Sequence, residues 1–272
     1  MDVAIGIDLG GTKIAGGVIG ADGSVLARVI IPTETANETT LISGVAKVAL
    51  ELRAAAPGAR RIGIGAAGLI DPFSGVIVTS PNLPTRNLGL ASIIEARTGC
   101  EVMLDNDANV AAYAEARLGA GVGARCVVMI TVGTGVGGGI VVDGELVRGA
   151  RGFAGEIGHV VIDRDGPECS CGARGCLEAF VNGRTLAAQP IEQIGEALGL
   201  GLVALSNLLD PDRFIIGGGA GSGRFADLVE PARKTLAERI LGAGQRPIPD
   251  VVVAKLGPDA GMIGAGSMVL SR

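Results

Sequence analysis

Ile7-Asp8-Leu9-Gly10-Gly11-Thr12 has a counterpart 123 residues further on, Ile130-Thr131-Val132-Gly133-Thr134-Gly135. Each closes an apolar run, Val3 to Ile7 in the first case and Cys126 to Val132 in the second, with a glycine turn. A second apolar run follows each turn, Ala15 to Ile19 and Gly138 to Val142, and a second turn, at Ala21-Asp22-Gly23 or Asp143-Gly144, leads into a third. Short apolar runs punctuated by glycine are the pattern of an antiparallel meander. Its recurrence predicts two related α/β halves, joined near residue 110, with a cleft between them.

The segments beyond each meander support the same division. Leu41, Val45, Val48 and Leu52 fall at helical spacing, the pattern stops at Pro57-Gly58, and a strand runs from Arg61 to Gly65. Gly65 to Gly68 and Ser80 to Pro84 are expected to be loops, Ser92 to Thr98 a short helix, and Glu101 to Leu104 a strand that opens a helix from Asp107 through Leu118. In the second half Ile194, Leu198, Leu202, Leu205, Leu208 and Leu209 mark a helix that leads into the strand Phe214-Ile215-Ile216 and then Gly217-Gly218-Gly219. A helix from about Asp227 to Leu241, a strand from Val251 to Ala254 and a final helix from Ala260 to Leu270 complete the chain.

Glycine turns at strand ends present backbone N–H groups with no side chain in the way, which is how phosphates are cradled. A single such turn is common in hairpins. Two at equivalent places, Gly10-Gly11-Thr12-Lys13 and Gly133-Thr134-Gly135, with a third glycine run at Gly217 to Gly219, point to a nucleotide phosphate chain held between two domains. Asp8 sits where a carboxylate can hold Mg²⁺, through water, against those phosphates, or can simply cap the turn. Asp107 opens a helix directly after a strand. It is either the N-cap of that helix or a general base that takes a proton from an attacking hydroxyl in phosphoryl transfer. The amide of Asn106 beside it suits a sugar's vicinal hydroxyls.

A different chemistry is packed into Gly155 to Glu178. The sole histidine, His159, is followed by Cys169, Cys171 and Cys176, with Gly172 and Gly175 between the thiols. Three sulfurs and an imidazole are the donor set of tetrahedral structural zinc. Disulfides are the competing reading, but Cys169 and Cys171 are too close in sequence to pair easily. Glu156 and Glu178 flank the cluster, which suggests that the metal organises a ligand site.

Composition sets bounds on function. Of 272 residues 48% are apolar, enough for a substantial core, and no run is long and apolar enough for a membrane span. There is no basic leader, so the protein is expected to be cytoplasmic. A net charge of −5, with the charges interspersed, gives no footprint for nucleic acid. With no tryptophan and one tyrosine, a polar ligand is expected to be held mainly by hydrogen bonds.

Asp8-Leu9-Gly10-Gly11-Thr12, Leu104-Asp105-Asn106-Asp107-Ala108-Asn109, Gly133-Thr134-Gly135, Gly155-Glu156-Ile157-Gly158-His159 and Cys169-Ser-Cys-Gly-Ala-Arg-Gly-Cys-Leu-Glu178, in this order, resemble the ROK family of sugar kinases and repressors. The resemblance implies two actin-like (ribonuclease H-like) ATPase domains, one over 1–109 with the final helix, about 260–272, returning to it, and one over 110–259 carrying the zinc loop. It implies an ATP-dependent, Mg²⁺-requiring kinase of glucokinase type, with glucose the expected substrate and a homodimer the expected assembly. Kinases of an N-acylhexosamine, or users of polyphosphate, are alternatives within the family, as is a sugar-sensing regulator. Such repressors carry a DNA-binding extension before the first glycine turn, whereas this chain's first strand begins at Val3.

By the same resemblance Asp107 is the base for the sugar 6-hydroxyl, and Gly68, Asn82, Asn106, Glu156, His159 and Glu178 contact the sugar. Asp8, Gly10, Gly11, Thr12 and Lys13, with Gly133, Thr134 and Gly135, form the phosphate turns, and Gly217, Gly218 and Gly219 the nucleotide loop. His159 is expected to serve twice, one ring nitrogen on zinc and the other toward the sugar. Relatives usually carry a longer helical stretch between Glu178 and Leu198.

Overall fold

The computed structural model describes residues 2–218 and 224–271. They fall into two compact units, one of Met1–Ala114, Arg148–Ala154 and Asp259–Arg272, the other of Glu115–Val147 and Gly155–Pro258. The first unit thus runs past the expected boundary at 109 and takes in Arg148–Ala154, an excursion that no change of composition marks.

In the first unit β1 (Val3–Leu9), β2 (Lys13–Gly20) and β3 (Val25–Pro32) form the meander, followed by α1 (Glu38–Ala55) and β4 (Arg61–Ala66). Three short strands come next, β5 (Leu69–Asp71), β6 (Val76–Thr79) and β7 (Arg86–Leu88), then α2 (Leu90–Thr98), β8 (Glu101–Asn106) and α3 (Asp107–Leu118). The five-stranded sheet has the order β3-β2-β1-β4-β8, with β4 and β8 parallel to β1. Ser80 to Pro84 is the expected loop, Gly65 and Ala66 belong to β4 rather than to a loop, and the stretches on either side of Ser80 to Pro84 form the small sheet β5-β6-β7.

The second unit repeats this plan. β9 (Cys126–Val132), β10 (Val136–Val142) and a two-residue β11 (Glu145–Leu146) precede the short helices α4 (Leu177–Phe180) and α5 (Gly183–Ala188). Then come α6 (Ile191–Leu209), β12 (Arg213–Gly217), α7 (Val229–Arg239) and β13 (Asp250–Val253), before α8 (Ala260–Leu270) closes the chain in the first unit. Sheet order is β11-β10-β9-β12-β13, position for position that of the first unit. The hairpin turns differ by one residue. Leu9 pairs with Ile14 across a four-residue turn, Val132 with Val136 across a three-residue one.

Burial explains the patterns. β1 is apolar almost throughout because helices cover both its faces, whereas β3, at the sheet edge, alternates and keeps one face in water. α1 buries the predicted stripe Leu41, Val45, Val48 and Leu52. On the other face α8, which follows β13 in sequence, packs on β1, β2 and β4 of the first unit. That approach demands glycine. A Cβ on Gly6 would lie 2.0 Å from the Met262 carbonyl oxygen, and one on Gly63 1.8 Å from that of Ala265. Among the described residues no helix is long and apolar enough to cross a membrane.

Candidate active site

The first unit's site is built where three parallel strands end together. Asp8 of β1 pairs with Gly65 of β4, and Gly65 with Asp105 of β8; one residue on, Leu9, Ala66 and Asn106 repeat the alignment. The carboxyl ends of such strands are where open α/β sheets place ligands. The turn after β1 is closed by Gly10 N–H donating to the Lys13 carbonyl at 3.1 Å and is braced by Thr33, whose hydroxyl donates to Gly10 O at 2.7 Å and whose N–H donates to Thr12 O at 2.9 Å. At Gly11 space rather than backbone sign calls for glycine. Neither Gly10 nor Gly11 has a positive φ, but a Cβ on Gly11 would lie 2.9 Å from Cβ of Asn82, so Asn82 sits against this turn.

Asn106 and Gly68 are tied together, the Asn106 amide donating to Gly68 O at 3.0 Å. Gly68 has φ 124°, left-handed, and a side chain there would strike Thr79 O at 2.5 Å. The start of α3 settles the capping question. Asn106 Oδ1 accepts from the N–H groups of Ala108 at 2.8 Å and Asn109 at 3.2 Å, so Asn106 is the cap, while Asp107 Oδ1 shares the Ala108 N–H at 2.9 Å. Burial pushes the Asp107 carboxyl above the ordinary carboxylate range, with the Ala108 N–H opposing. Asp8 is pushed from 3.8 up to about 6, first by burial and then by the Asp107 charge, against the pull of Lys13. Two carboxyls that feel each other at strand ends can bind a cation or hold a proton. Sequence reading missed Gly261, in the first turn of α8: a Cβ there would lie 2.9 Å from Asp8 Cγ, so Asp8 packs on that turn.

In the second unit the equivalent turn is closed by Gly133 N–H donating to Gly135 O at 2.9 Å, with Thr134 exposed at its tip. Gly217 pairs with Thr131, and a Cβ on Gly218 would meet Val132 O at 2.0 Å, so the glycines ending β9 and β12 adjoin. Gly219 lies outside the described residues. Glu178, on α4, grips the turn: its Oε2 accepts the Val136 N–H at 2.9 Å, and its Oε1 accepts the hydroxyl of Ser170, a residue sequence reading passed over, at 2.7 Å. Gly183 N–H adds a bond to Gly133 O at 2.7 Å. Glu156 precedes a single helical turn, Ile157–His159, and its carbonyl accepts the His159 N–H at 3.1 Å.

The cysteine cluster has the geometry of a metal centre. The ligand atoms of His159, Cys169, Cys171 and Cys176 all lie within 4.8 Å of one another. Cys171 and Cys176 sulfurs are 3.8 Å apart, and Cys169 Sγ is 3.7 Å from His159 Nδ1. Those are the edges of a tetrahedron whose centre-to-sulfur distance is about 2.3 Å, and they exclude disulfides. The histidine turns Nδ1 to the sulfurs. Gly175, at φ 72°, lets the loop close, since a Cβ there would lie 1.5 Å from Asp163 O. Burial and the neighbouring thiols push Cys176 up to about 12, so without a cation its proton stays on.

Duplicated α/β units, each with a glycine turn at the end of its first strand, and a carboxylate pair beside one turn define a phosphate-handling ATPase fold. The family model described as ROK family matches residues 4–189 and 181–272, and the chain belongs to the ROK family. It is 34% identical to a glucokinase of Streptomyces coelicolor, with 98% of each chain covered. Among solved structures it is similar to a ROK family glucokinase from Streptomyces griseus in complex with glucose and AMPPNP (TM-score 0.85, 32% identity, 98% of this chain and 99% of that one). It is equally similar to a ROK hexokinase from Thermus thermophilus (TM-score 0.85, 34% identity, 98% and 97%). The fold is therefore the two-domain actin-like ATPase fold of ROK glucokinases. The alignment to the Streptomyces coelicolor protein spans 319 positions against 272 residues here, and the two family matches meet at 181–189, so this chain is shortened around α5.

Proposed function

We propose that the protein transfers the terminal phosphoryl group of ATP to the 6-hydroxyl of glucose, giving glucose 6-phosphate and ADP. The observation that carries this is Asp107. Its carboxyl stands at the carboxyl ends of β1, β4 and β8, relieved of capping by Asn106 and pushed upward by burial, in a chain of the ROK family. A base whose pKa is lifted toward the working pH transfers protons most effectively. Asp107 takes the 6-hydroxyl proton as that oxygen attacks the terminal phosphorus, and the bond to the bridging oxygen of ADP breaks.

The residues taken to contact sugar hydroxyls are Gly68, Asn82, Asn106, Glu156, His159 and Glu178. The Gly10–Lys13 and Gly133–Gly135 turns take the phosphates with backbone N–H groups, and Gly217 and Gly218 border the nucleotide. Asp8 is the carboxylate for Mg²⁺, which supplies neutralisation of phosphate charge. The donor set and spacing of His159, Cys169, Cys171 and Cys176 fit Zn²⁺, which supplies structure and fixes the His159 ring through Nδ1, leaving Nε2 to face the sugar. The same proposal takes the protein to be cytoplasmic, because ATP is the donor, and homodimeric, by family resemblance.

Coupled ADP-release measurements on the purified protein over glucose, mannose, N-acetylglucosamine and N-acetylmannosamine, repeated with polyphosphate as donor, test the assignment. Highest kcat/KM for glucose with ATP is expected. Highest kcat/KM for an N-acylhexosamine, or turnover with polyphosphate alone, would replace it.

A further inference from the structure

Arg148 is the first residue of the seven-residue excursion that joins the first unit, and it ends in a buried ion pair. Its Nε donates to Asp105 Oδ2 at 2.7 Å, with the Asp105 side chain 2% exposed, and its Nη2 lies 3.3 Å from the Met268 sulfur on α8. The other oxygen of Asp105 accepts the Asn106 backbone N–H at 2.8 Å and the Asn109 side-chain amide at 2.9 Å. Three donors converge on one carboxyl at the end of a buried strand, and the guanidinium beside it is the partner that a buried acidic side chain needs. An apolar pair of the same volume is ordinarily no worse for stability than a buried ion pair. What an apolar pair cannot do is hold Asn106 and Asn109.

We infer that Asp105 and Arg148 are positioning residues for the base. Asp105 fixes the residues on either side of Asp107, Asn106 carries that order to Gly68 and to the first turn of α3, and Arg148 holds Asp105 in place. Neither residue is assigned a contact with sugar or nucleotide. The excursion is pinned again at Gly152, where a Cβ would lie 2.3 Å from Pro72, and it closes on itself through Ala154 N–H to Arg148 O at 3.0 Å. Arg148 therefore arrives at Asp105 on a loop held at both ends.

The inference rests on Asp107 as base, and its test separates the two. Arg148→Met and Asp105→Asn are each expected to lower kcat about 10- to 100-fold per folded molecule while KM for glucose and for ATP stays within threefold. Arg148→Lys, which keeps the charge and loses the fork, is expected to recover part of the rate. Because a single change leaves a charge or donors unpaired, the double variant Asp105→Asn/Arg148→Met is measured as well; it is expected to regain stability but not kcat. Amide hydrogen exchange supplies a readout that needs no turnover: the backbone N–H of Asn106, which donates to Asp105, and that of Asn109, which donates to Asn106 Oδ1, should exchange at least tenfold faster in Arg148→Met than in the parent. Unchanged kcat in the folded variants, or unchanged protection at those two amides, overturns the positioning role. Failure of the parent protein to turn over any sugar would instead overturn the kinase assignment, and the exchange result would still decide this one.

Discussion

Replacing Gly135 with alanine probes how the second phosphate turn is held. The added Cβ would lie 2.3 Å from Glu178 Oε2, far inside van der Waals contact. The intruded atom is the far end of a flexible side chain rather than backbone, so the Glu178 carboxylate swings away and the fold survives. What is lost is its acceptance of the Val136 N–H at 2.9 Å, and with it the link to Ser170 at 2.7 Å. Hydrogen bonds to a charged group contribute about 1.5–3 kcal/mol each. Losing ~2 kcal/mol of turn order corresponds to ~30-fold in binding. The expected result is a 10- to 30-fold rise in KM for ATP, a rise in KM for glucose because Glu178 has moved, and a Tm lowered by no more than about 5 °C. Initial rates over a grid of both substrates, with Tm from calorimetry, measure all three. If both KM values stay within twofold while Tm is kept, Glu178 does not organise the turn.

The charges lead to further expectations. Asp8 is raised in the folded state from 3.8 to about 6, so its contribution to stability is fully present below pH 3.8 and lost as pH rises to 6. At about 1.4 kcal/mol per unit the loss is about 3 kcal/mol, and Asp8→Asn should be more stable than the parent by up to that amount at pH 7 without Mg²⁺, measured by urea unfolding, while losing turnover. The base must be ionised to act, so kcat/KM should fall as pH drops through the raised pKa of Asp107, with a midpoint above the ordinary 3.8; a pH–rate profile flat down to pH 4 would contradict that. Cys171→Ser should release the metal, weaken glucose binding and lower Tm together, a loss of ~2 kcal/mol moving Tm by about 5 °C; metal analysis, calorimetry and glucose titration on one preparation check it.

The duplication was legible because its signal is local. An offset of 123 carries Val3–Leu9 onto Cys126–Val132 residue for residue, since each strand is an apolar run ended by glycine. The metal cluster was legible for the same reason, four ligands of distinctive chemistry in eighteen residues. β5 to β7 were not: three or four residues each, among Gly, Pro and Ser, they carry no period of two. Capping by Asn106 rather than Asp107 depends on a one-residue choice of helix start that propensity does not resolve. Gly6 and Gly63 are glycines because of α8, some two hundred or more residues away in sequence, and Gly261, in α8 itself, because of Asp8. Arg148 and Asp105, 43 residues apart, met only in the folded chain.

The most direct measurement compares the parent with Asp107→Asn in the ATP-dependent, coupled ADP-release assay with glucose, alongside glucose affinity by calorimetry and zinc content by metal analysis. Glucose binding and zinc content close to the parent's, with kcat reduced at least 10²-fold, are predicted for the loss of a general base. Near-parent turnover by an Asp107→Asn protein that binds glucose and zinc normally would contradict the assignment.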